Sequence, residues 1–218
     1  MIQSTSKLRV LIGIAAALWL TGAQAMDIEE PKYEVLNTYP DFELRRYAPY
    51  LVAETDVTGD FDGVGSQAFR ILAGYIFGNN RARGQMEMTA PVSQRLAAGK
   101  GEKLEMTAPV TQRPNGAGAS TFVLSFVMPS RFALDTLPEP TDQRVRLREE
   151  PAKLMAVHGY TGTWSQSNYR EHESLLLGAV GRADLRPLGA PVYARYNSPF
   201  SLWFLRRNEV MVQVEEPP

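Results

Sequence analysis

The chain has 218 residues, with 23 lysines and arginines against 24 aspartates and glutamates, two histidines and no cysteine. A chain of this length can bury an ordinary hydrophobic core as one domain. Its near-neutral charge argues against a nucleic-acid surface, and the lack of cysteine excludes disulfides, iron–sulfur clusters, thiolate ligands and thiol catalysis.

The first 25 residues have the pattern of a secretory signal peptide. Lys7 and Arg9 precede an apolar run over residues 10–20, and Ala23-Gln24-Ala25 provides a small-x-small cleavage site. The run is shorter than the roughly 20 apolar residues of a transmembrane helix. We therefore expect cleavage, a mature domain of residues 26–218 in the bacterial periplasm, and no membrane insertion of that mature chain. Cleavage removes two basic and no acidic residues, which leaves a net charge of −3.

Strand-like segments surround a predicted helix in the first half of the chain. Residues 43–47 and 50–57 are rich in aromatic and β-branched residues, and residues 122–128 have the uninterrupted apolar character of a central strand. Residues 62–77 are predicted to form a helix whose apolar positions cover roughly 160° of its circumference, more than the ~100° of one buried face. We therefore expect this helix to have a second partner.

The segment Met-Thr-Ala-Pro-Val occurs twice, at residues 88–92 and 106–110. Each copy ends a stretch of alternating apolar and polar residues, 85–92 and 103–110, and each proline must lie at a strand end or edge. Gly99-Lys100-Gly101 lies between the two stretches. The pattern predicts the two arms of a long hairpin beside the first helix.

The second half repeats the first in outline. Its predicted elements are a strand at 154–161, a helix at 165–180 and strands at 192–196 and 203–214. In both halves a Thr-Gly-x-aromatic sequence, at Thr58–Phe61 and Thr161–Trp164, separates the strand from the helix. A strand–helix–strand–strand unit used twice predicts an α+β fold, a distorted antiparallel β-barrel flanked by two helices.

Two motifs of known chemistry are incomplete. Gly63–Ala68 fits a relaxed dinucleotide fingerprint, but the chain lacks the alternating parallel strands and helices that such a fold requires. His172-Glu173 begins a zinc-protease motif, but Leu176 replaces its second histidine. With two histidines and no cysteine, a closed zinc site or a Ser-His-Asp triad would need unusual partners, and we expect no catalytic activity.

The histidines and methionines are candidate contacts for iron or for a flat aromatic ligand. His158 interrupts a predicted strand, where a surface or hydrogen-bonded role is expected. His172 lies at the edge of the second helix's apolar stripe, so it has either a structural role or an iron-ligand role. Met86 and Met88 share one face of their strand, as Leu104 and Met106 do on theirs. Because Leu104 occupies the place of Met86, a wall or core role is favoured over ligation.

Arginines provide the candidate anion contacts. Arg206-Arg207-Asn208-Glu209 interrupts an apolar segment, and it forms either a solvated edge, an internal Arg–Glu pair or an anion-facing group. Arg81 and Arg83, in the loop after the first helix, are equal candidates for binding carboxylates.

Several motifs together resemble the SOUL haem-binding family over about Tyr33 to Val214. They are Tyr47–Thr55, Phe69–Asn80, the doubled Met-Thr-Ala-Pro-Val, Phe126–Ser130 and Arg206–Val210. The resemblance implies a distorted barrel with two flanking helices from a duplicated half. It also implies non-covalent binding of haem or a related tetrapyrrole in an apolar groove beside a helix, with axial histidine ligation in only some members.

On this resemblance the expected ligand is haem or porphyrin, bound by a carrier, scavenger or buffer of the cell envelope. The predicted groove residues are Phe69, Leu72, Tyr75, Ile76, Met86, Met88 and Met106, with Arg81 or Arg83 near the propionates and His172 as the candidate metal ligand. The alternatives are a binder of a non-haem hydrophobic molecule, an envelope interaction module, and an enzyme that modifies haem or removes its iron.

Overall fold

A computed structural model describes residues 28–82, 101–116, 120–198 and 200–216. The strands are β1 (Tyr33–Thr38), β2 (Glu43–Tyr47), β3 (Tyr50–Thr58), β4 (Asn80–Arg81), β5 (Val110–Pro114), β6 (Thr121–Val127), β7 (Glu139–Pro140), β8 (Arg146–Glu150), β9 (Lys153–Thr161), β10 (Pro187–Arg195) and β11 (Arg207–Val214). The helices are α1 (Phe61–Ile76) and α2 (Gln166–Arg182), and Trp203–Leu205 forms one turn of 3-10 helix.

The main sheet curls back on itself. Its nine antiparallel strands follow the order β1-β2-β9-β11-β10-β5-β6-β3-β8, while β4 pairs with β7 separately. Strands β2 and β3 lie six places apart in this order, yet only Ala48 and Pro49 connect them in sequence. Accordingly, the ring centroids of Tyr47 and Tyr50 are only 6.4 Å apart. These features confirm the predicted α+β fold, a distorted antiparallel barrel flanked by two helices.

The predicted duplication is visible in the pairing. In one half β6 pairs with β3 and β5, and in the other β11 pairs with β9 and β10. Gly59 and Gly162 precede the two helices with φ values of 158° and 130°, which other residues rarely adopt. The side chains of Asp60 and Ser165 then cap α1 and α2. The shared Thr-Gly-x-aromatic sequence therefore marks both strand-to-helix junctions, although the cap lies inside the motif for α1 and directly after it for α2.

Both helices pack on one face of the sheet. Helix α1 lies against β3 and β6, and α2 lies against β9, β10 and β11. Leu124, Tyr193 and Val212 from the sheet meet Leu72 and Leu176 from the helices in a buried core. Alternate strand residues point to the other face. There they form a second apolar cluster, Tyr47, Met155, Val157, Ala194 and Met211.

The predicted strand over residues 103–110 is wrong. Residues 103–109 belong to no strand, with a bend at Ala108, and β5 begins at Val110. The backbone N–H of Leu104 donates to the carbonyl oxygen of Ile76 at 2.9 Å, so the end of α1 supports the segment where a neighbouring strand was expected. Leu104 is buried and Met106 is exposed, so the two side chains do not share a face.

The last predicted strand begins later than expected. Residues 203–205 form the 3-10 turn and are exposed, and β11 starts at Arg207. The first arm of the predicted hairpin, residues 85–92, and the signal segment, residues 1–25, lie outside the described residues. Within the described ranges, neither helix combines the length and apolar character needed to cross a bilayer.

Candidate functional site

The face of the sheet turned away from the helices encloses a cavity of about 640 Å³, which we call the sheet cavity. Its volume falls within the roughly 300–1,000 Å³ typical of small-molecule sites. Strands near both ends of the sheet line it, together with the central strands, so it lies inside the curl. Its aromatic and thioether wall consists of Tyr47, Tyr50, Tyr196, Met155 and Met211.

The cavity has an apolar wall because neighbouring strands are apolar on both faces. In β11, Val210 and Val212 join the helix-side core while Met211 faces the cavity. In β9, Leu154 faces the core and Met155 faces the cavity in the same way. Continuous apolar runs are typical of strands buried on both sides. This signal was present in the sequence, but the predicted groove was placed beside the first helix and its neighbouring methionine segments.

Three cations, Arg113, Arg148 and Lys153, line part of the sheet cavity. Arg148 Nη2 donates to Glu150 Oε1 at 2.6 Å and to Glu54 Oε2 at 2.9 Å, and Lys153 Nζ donates to Glu150 Oε2 at 2.8 Å. Burial alone would raise the pKa of Glu150, but these two donors outweigh it and lower that pKa. Arg113 Nη2 lies 3.6 Å from Glu54. Arg146 also pairs with Glu54 and with Asp56, so four positive charges meet three carboxylates, which leaves one positive charge in excess.

A buried ion cluster supports the cavity wall. The side chain of Glu209 is 2% exposed. Its Oε1 accepts hydrogen bonds from Arg45 Nη1 and Arg207 Nη2, both at 3.0 Å, and its Oε2 accepts one from the hydroxyl of Tyr196 at 2.5 Å. These contacts confirm the internal Arg–Glu pair among the interpretations of residues 206–209. They also fix the ring of Tyr196 at the cavity.

The tyrosines of the cavity are protonated at physiological pH. Burial, followed by the charge of Glu209, raises the pKa of Tyr47 to about 12. Burial and nearby carboxylates also raise the pKa values of Tyr50 and Tyr196. The Tyr47 hydroxyl donates to Met211 Sδ at 3.8 Å. Since haem iron binds tyrosine as phenolate, these rings are suited to stacking and hydrogen bonding.

The predicted groove residues of α1 lie mainly in the helix-side core. Leu72, Tyr75 and Ile76 are buried there, and the Tyr75 hydroxyl donates to the carbonyl oxygen of Pro138 at 2.9 Å. Phe69 is half-buried, with its ring centroid 5.6 Å from that of Phe126. An open depression of about 340 Å³ does adjoin α1, but most of its lining is polar. Its lining residues are Gln67, Arg70, Ile71, Gly74, Tyr75, Asn79, Asp142 and Arg144.

The remaining predicted site residues are dispersed. Arg81 lies exposed in β4 and Met106 lies exposed before β5. Arg83, Met86 and Met88 fall outside the described residues. The structure therefore does not bring the described members of the predicted set together around one cavity.

The candidate metal ligand His172 lies on the helix side of the sheet. Its ring stacks on that of Tyr160, with centroids 3.8 Å apart, and it contacts His158. In the part of the chain that the structure describes, no group of three or more histidine, aspartate and glutamate side chains is arranged to hold a metal ion.

Comparison with solved structures supports the fold. The C-terminal domain of EcmrR superposes with a TM-score of 0.58 at 11% identity, covering 85% of this chain and 99% of that domain. A hydrolase from Listeria innocua superposes with a TM-score of 0.53 at 11% identity, covering 86% of this chain and 93% of the hydrolase. At this identity the likeness concerns the fold alone.

Sequence comparison identifies the family. Heme-binding protein 2 of Homo sapiens is 29% identical over 180 residues, covering 81% of this chain and 80% of the human protein. Heme-binding protein 2 of Mus musculus is 27% identical over 204 residues, covering 90% of this chain and 91% of the mouse protein. The family model described as SOUL heme-binding protein matches residues 28–213, and the chain therefore belongs to the SOUL heme-binding protein family.

Proposed function

We propose that this protein binds haem or a related tetrapyrrole non-covalently in the sheet cavity, as a carrier, scavenger or buffer in the bacterial cell envelope. The observation that carries the proposal is the cavity itself, which combines a tyrosine and methionine wall with an excess of positive charge. Haem has an apolar macrocycle and two propionates, so it needs both surfaces. Burying one macrocycle face contributes several kcal/mol at ~25 cal/mol per Å².

The wall of the cavity favours recognition of the macrocycle over recognition of the iron. The phenols of Tyr47, Tyr50 and Tyr196 are protonated, which disfavours iron–phenolate bonding. Met155 and Met211 are the wall residues whose thioethers can bind iron. We therefore expect iron-free porphyrin to bind about as well as hemin.

The proposal assigns no catalytic step to this chain. It places the mature domain, residues 26–218, in the periplasm after removal of the signal segment. The charge and apolar pattern of residues 1–25 supports this location, and a cysteine-free chain is compatible with an oxidising compartment.

Hemin titration of the mature protein tests the proposal and locates the site. We expect a saturable Soret shift at micromolar hemin. Val192 is half-buried and lines the sheet cavity, so Val192→Trp should place an indole in the space of the macrocycle and weaken hemin binding. Phe69→Ala, beside α1, is the matched control and should leave the shift unchanged. Circular dichroism checks that both variants fold.

Three results would contradict the proposal. Absence of a Soret shift in the unaltered protein would exclude haem binding. A shift that survives Val192→Trp but is lost in folded Phe69→Ala would move the site to the predicted groove. Loss of iron from bound haem over time would instead favour the enzyme alternative.

A further inference from the structure

The connection between β10 and β11 exposes an unusual concentration of apolar side chains. Phe200 is 95% exposed, and four of the five residues that follow it are large, apolar and at least half exposed. These four are Leu202, Trp203, Phe204 and Leu205. Single exposed hydrophobic residues are ordinary on protein surfaces, but a contiguous patch marks an interaction site. We call residues 200–205 the apolar loop.

Hydrogen bonds and ring contacts hold the base of the apolar loop in place. Arg206 Nε donates to the carbonyl oxygen of Ser201 at 3.0 Å, and the Arg206 guanidinium lies 4.2 Å from the ring centroid of Trp164. The rings of Trp203 and Phe204 meet edge to face, with centroids 5.6 Å apart. The exposure therefore belongs to an ordered turn.

The chemistry of the loop fits a lipid surface. Tryptophan and phenylalanine favour the interface between hydrocarbon and water, and an adjacent arginine favours lipid phosphates. Arg206 lies directly beside the loop, whereas the guanidinium of Arg207 is already paired with Glu30 at 2.9 Å and with Glu209 at 3.0 Å. We propose that the apolar loop inserts into the headgroup region of a phospholipid bilayer. Such shallow contact does not need a membrane-spanning segment. The expectation that the mature chain does not insert into a membrane concerned only segments long enough to span one.

The position of the loop connects it to the sheet cavity. Tyr196 lines the cavity, and the Arg207 guanidinium lies 3.7 Å from its ring centroid at the base of the loop. Bilayer contact would therefore bring the cavity to a surface where amphiphilic molecules accumulate. Uptake of a tetrapyrrole from lipid rests on the proposed function, whereas contact of the loop with lipid does not.

Vesicle binding tests the inference. We use the chain from Met26, which retains every described strand and helix, with vesicles of phosphatidylcholine alone or mixed with phosphatidylglycerol. We expect co-sedimentation with both and tighter binding to the mixture. Trp203 emission, taken as the difference from a Trp203→Phe variant, should shift to shorter wavelength and be quenched by brominated phosphatidylcholine. The triple variant Phe200→Ser, Trp203→Ser, Phe204→Ser should bind at least about tenfold more weakly.

A matched triple variant removes exposed apolar side chains elsewhere. Phe77→Ser, Leu134→Ser, Leu175→Ser should bind vesicles within about twofold of the unaltered protein. Equal binding by the loop variant, or unquenched Trp203 emission, would overturn the inference. If the protein self-associates without lipid and Trp203 emission is already shifted to shorter wavelength, the apolar loop would instead be covered by a second copy of the chain. The loop variant should retain the Soret shift and Val192→Trp should retain vesicle binding, so the two proposals fail separately.

Discussion

The imidazole Nε2 of His158 lies 3.0 Å from Nδ1 of His172, while Nδ1 of His158 lies 2.6 Å from the carbonyl oxygen of Asp41. A carbonyl oxygen can only accept, so Nδ1 of His158 carries a proton. In the neutral pair His158 then accepts at Nε2 from the Nδ1–H of His172. Both rings therefore have a defined tautomer, and neutral His172 has its lone pair at Nε2.

This pair should make stability depend on pH. Burial, followed by the proximity of His158, lowers the pKa of His172, while Glu171 acts in the opposite direction. The ion pair between Arg182 and Asp41 adjoins the contact. Unfolded His172 takes up its proton at a higher pH than folded His172, so stability present above the unfolded pKa is lost as pH falls through the folded pKa.

Urea unfolding at pH 7 and pH 5 checks this expectation. The free energy of unfolding should fall more steeply with acidification in the unaltered protein than in His172→Gln. Equal slopes in the two proteins would exclude His172 as the source. The same variant, titrated with hemin, should give an unchanged Soret shift, because His172 lies on the opposite side of the sheet from the cavity.

Removing the carboxylate of Glu209 should destabilise the fold. Glu209→Ala leaves the buried guanidinium of Arg45 without that partner, and loss of one member of a buried pair costs about 3–5 kcal/mol. Glu216→Gln, which removes an exposed partner of Arg46, is the control and should change the free energy of unfolding by less than about 1 kcal/mol. Denaturant titration measures both. A loss below about 1 kcal/mol for Glu209→Ala would show that the cluster is dispensable.

Leu72 should act as a core residue. It is fully buried between α1 and the sheet, so Leu72→Ala should lower the free energy of unfolding by about 2–5 kcal/mol. Leu175→Ala, on the exposed side of α2, should change it by less than about 0.5 kcal/mol. Hemin affinity should be unchanged in folded Leu72→Ala. If folded Leu72→Ala lost hemin affinity, the binding site would lie in the predicted groove beside α1.

Propionate recognition should depend on the cations of the sheet cavity. Arg113→Gln should weaken hemin binding by about tenfold, because a hydrogen bond to a charged group is worth roughly 1.5–3 kcal/mol. Arg81→Gln serves as the control outside the cavity and should have no effect. Hemin dimethyl ester lacks the two carboxylates, so Arg113→Gln should not alter its affinity. The test is to titrate the unaltered protein and Arg113→Gln, each with hemin and with its dimethyl ester. If Arg113→Gln weakened the binding of both ligands equally, a charge effect would be excluded.

Local sequence patterns predicted the local structure well. The apolar stripe and the Gly59-Asp60 sequence predicted a helix over 62–77, and α1 runs from 61 to 76. Alternation failed at residues 103–110, where Leu104 bonds to the end of α1. Apolar character also failed at residues 203–205, which were predicted as part of a strand but form an exposed turn. At residues 103–110 a hydrogen bond to the end of α1 takes the place of strand pairing. At residues 203–205 the apolar side chains stay exposed instead of entering the sheet.

The sheet cavity was harder to predict because distant segments form it. Tyr47 from β2 and Arg148 from β8 belong to opposite ends of the strand order, and the curl of the sheet brings both to one cavity. No single stretch of sequence contains the site. The apolar runs in β9 and β11 indicate a second buried face, but the partners across the cavity depend on how far the sheet curls.

The two halves of the sheet meet where β5 pairs with β10 over three residue pairs, the shortest pairing among the nine strands. Thr111 on one side of this seam and Val192 on the other both line the cavity. A rigid ligand that binds in the cavity as proposed would touch both halves and act as a cross-link between them. We expect its binding to couple the unfolding of the two repeats and to limit their independent motion.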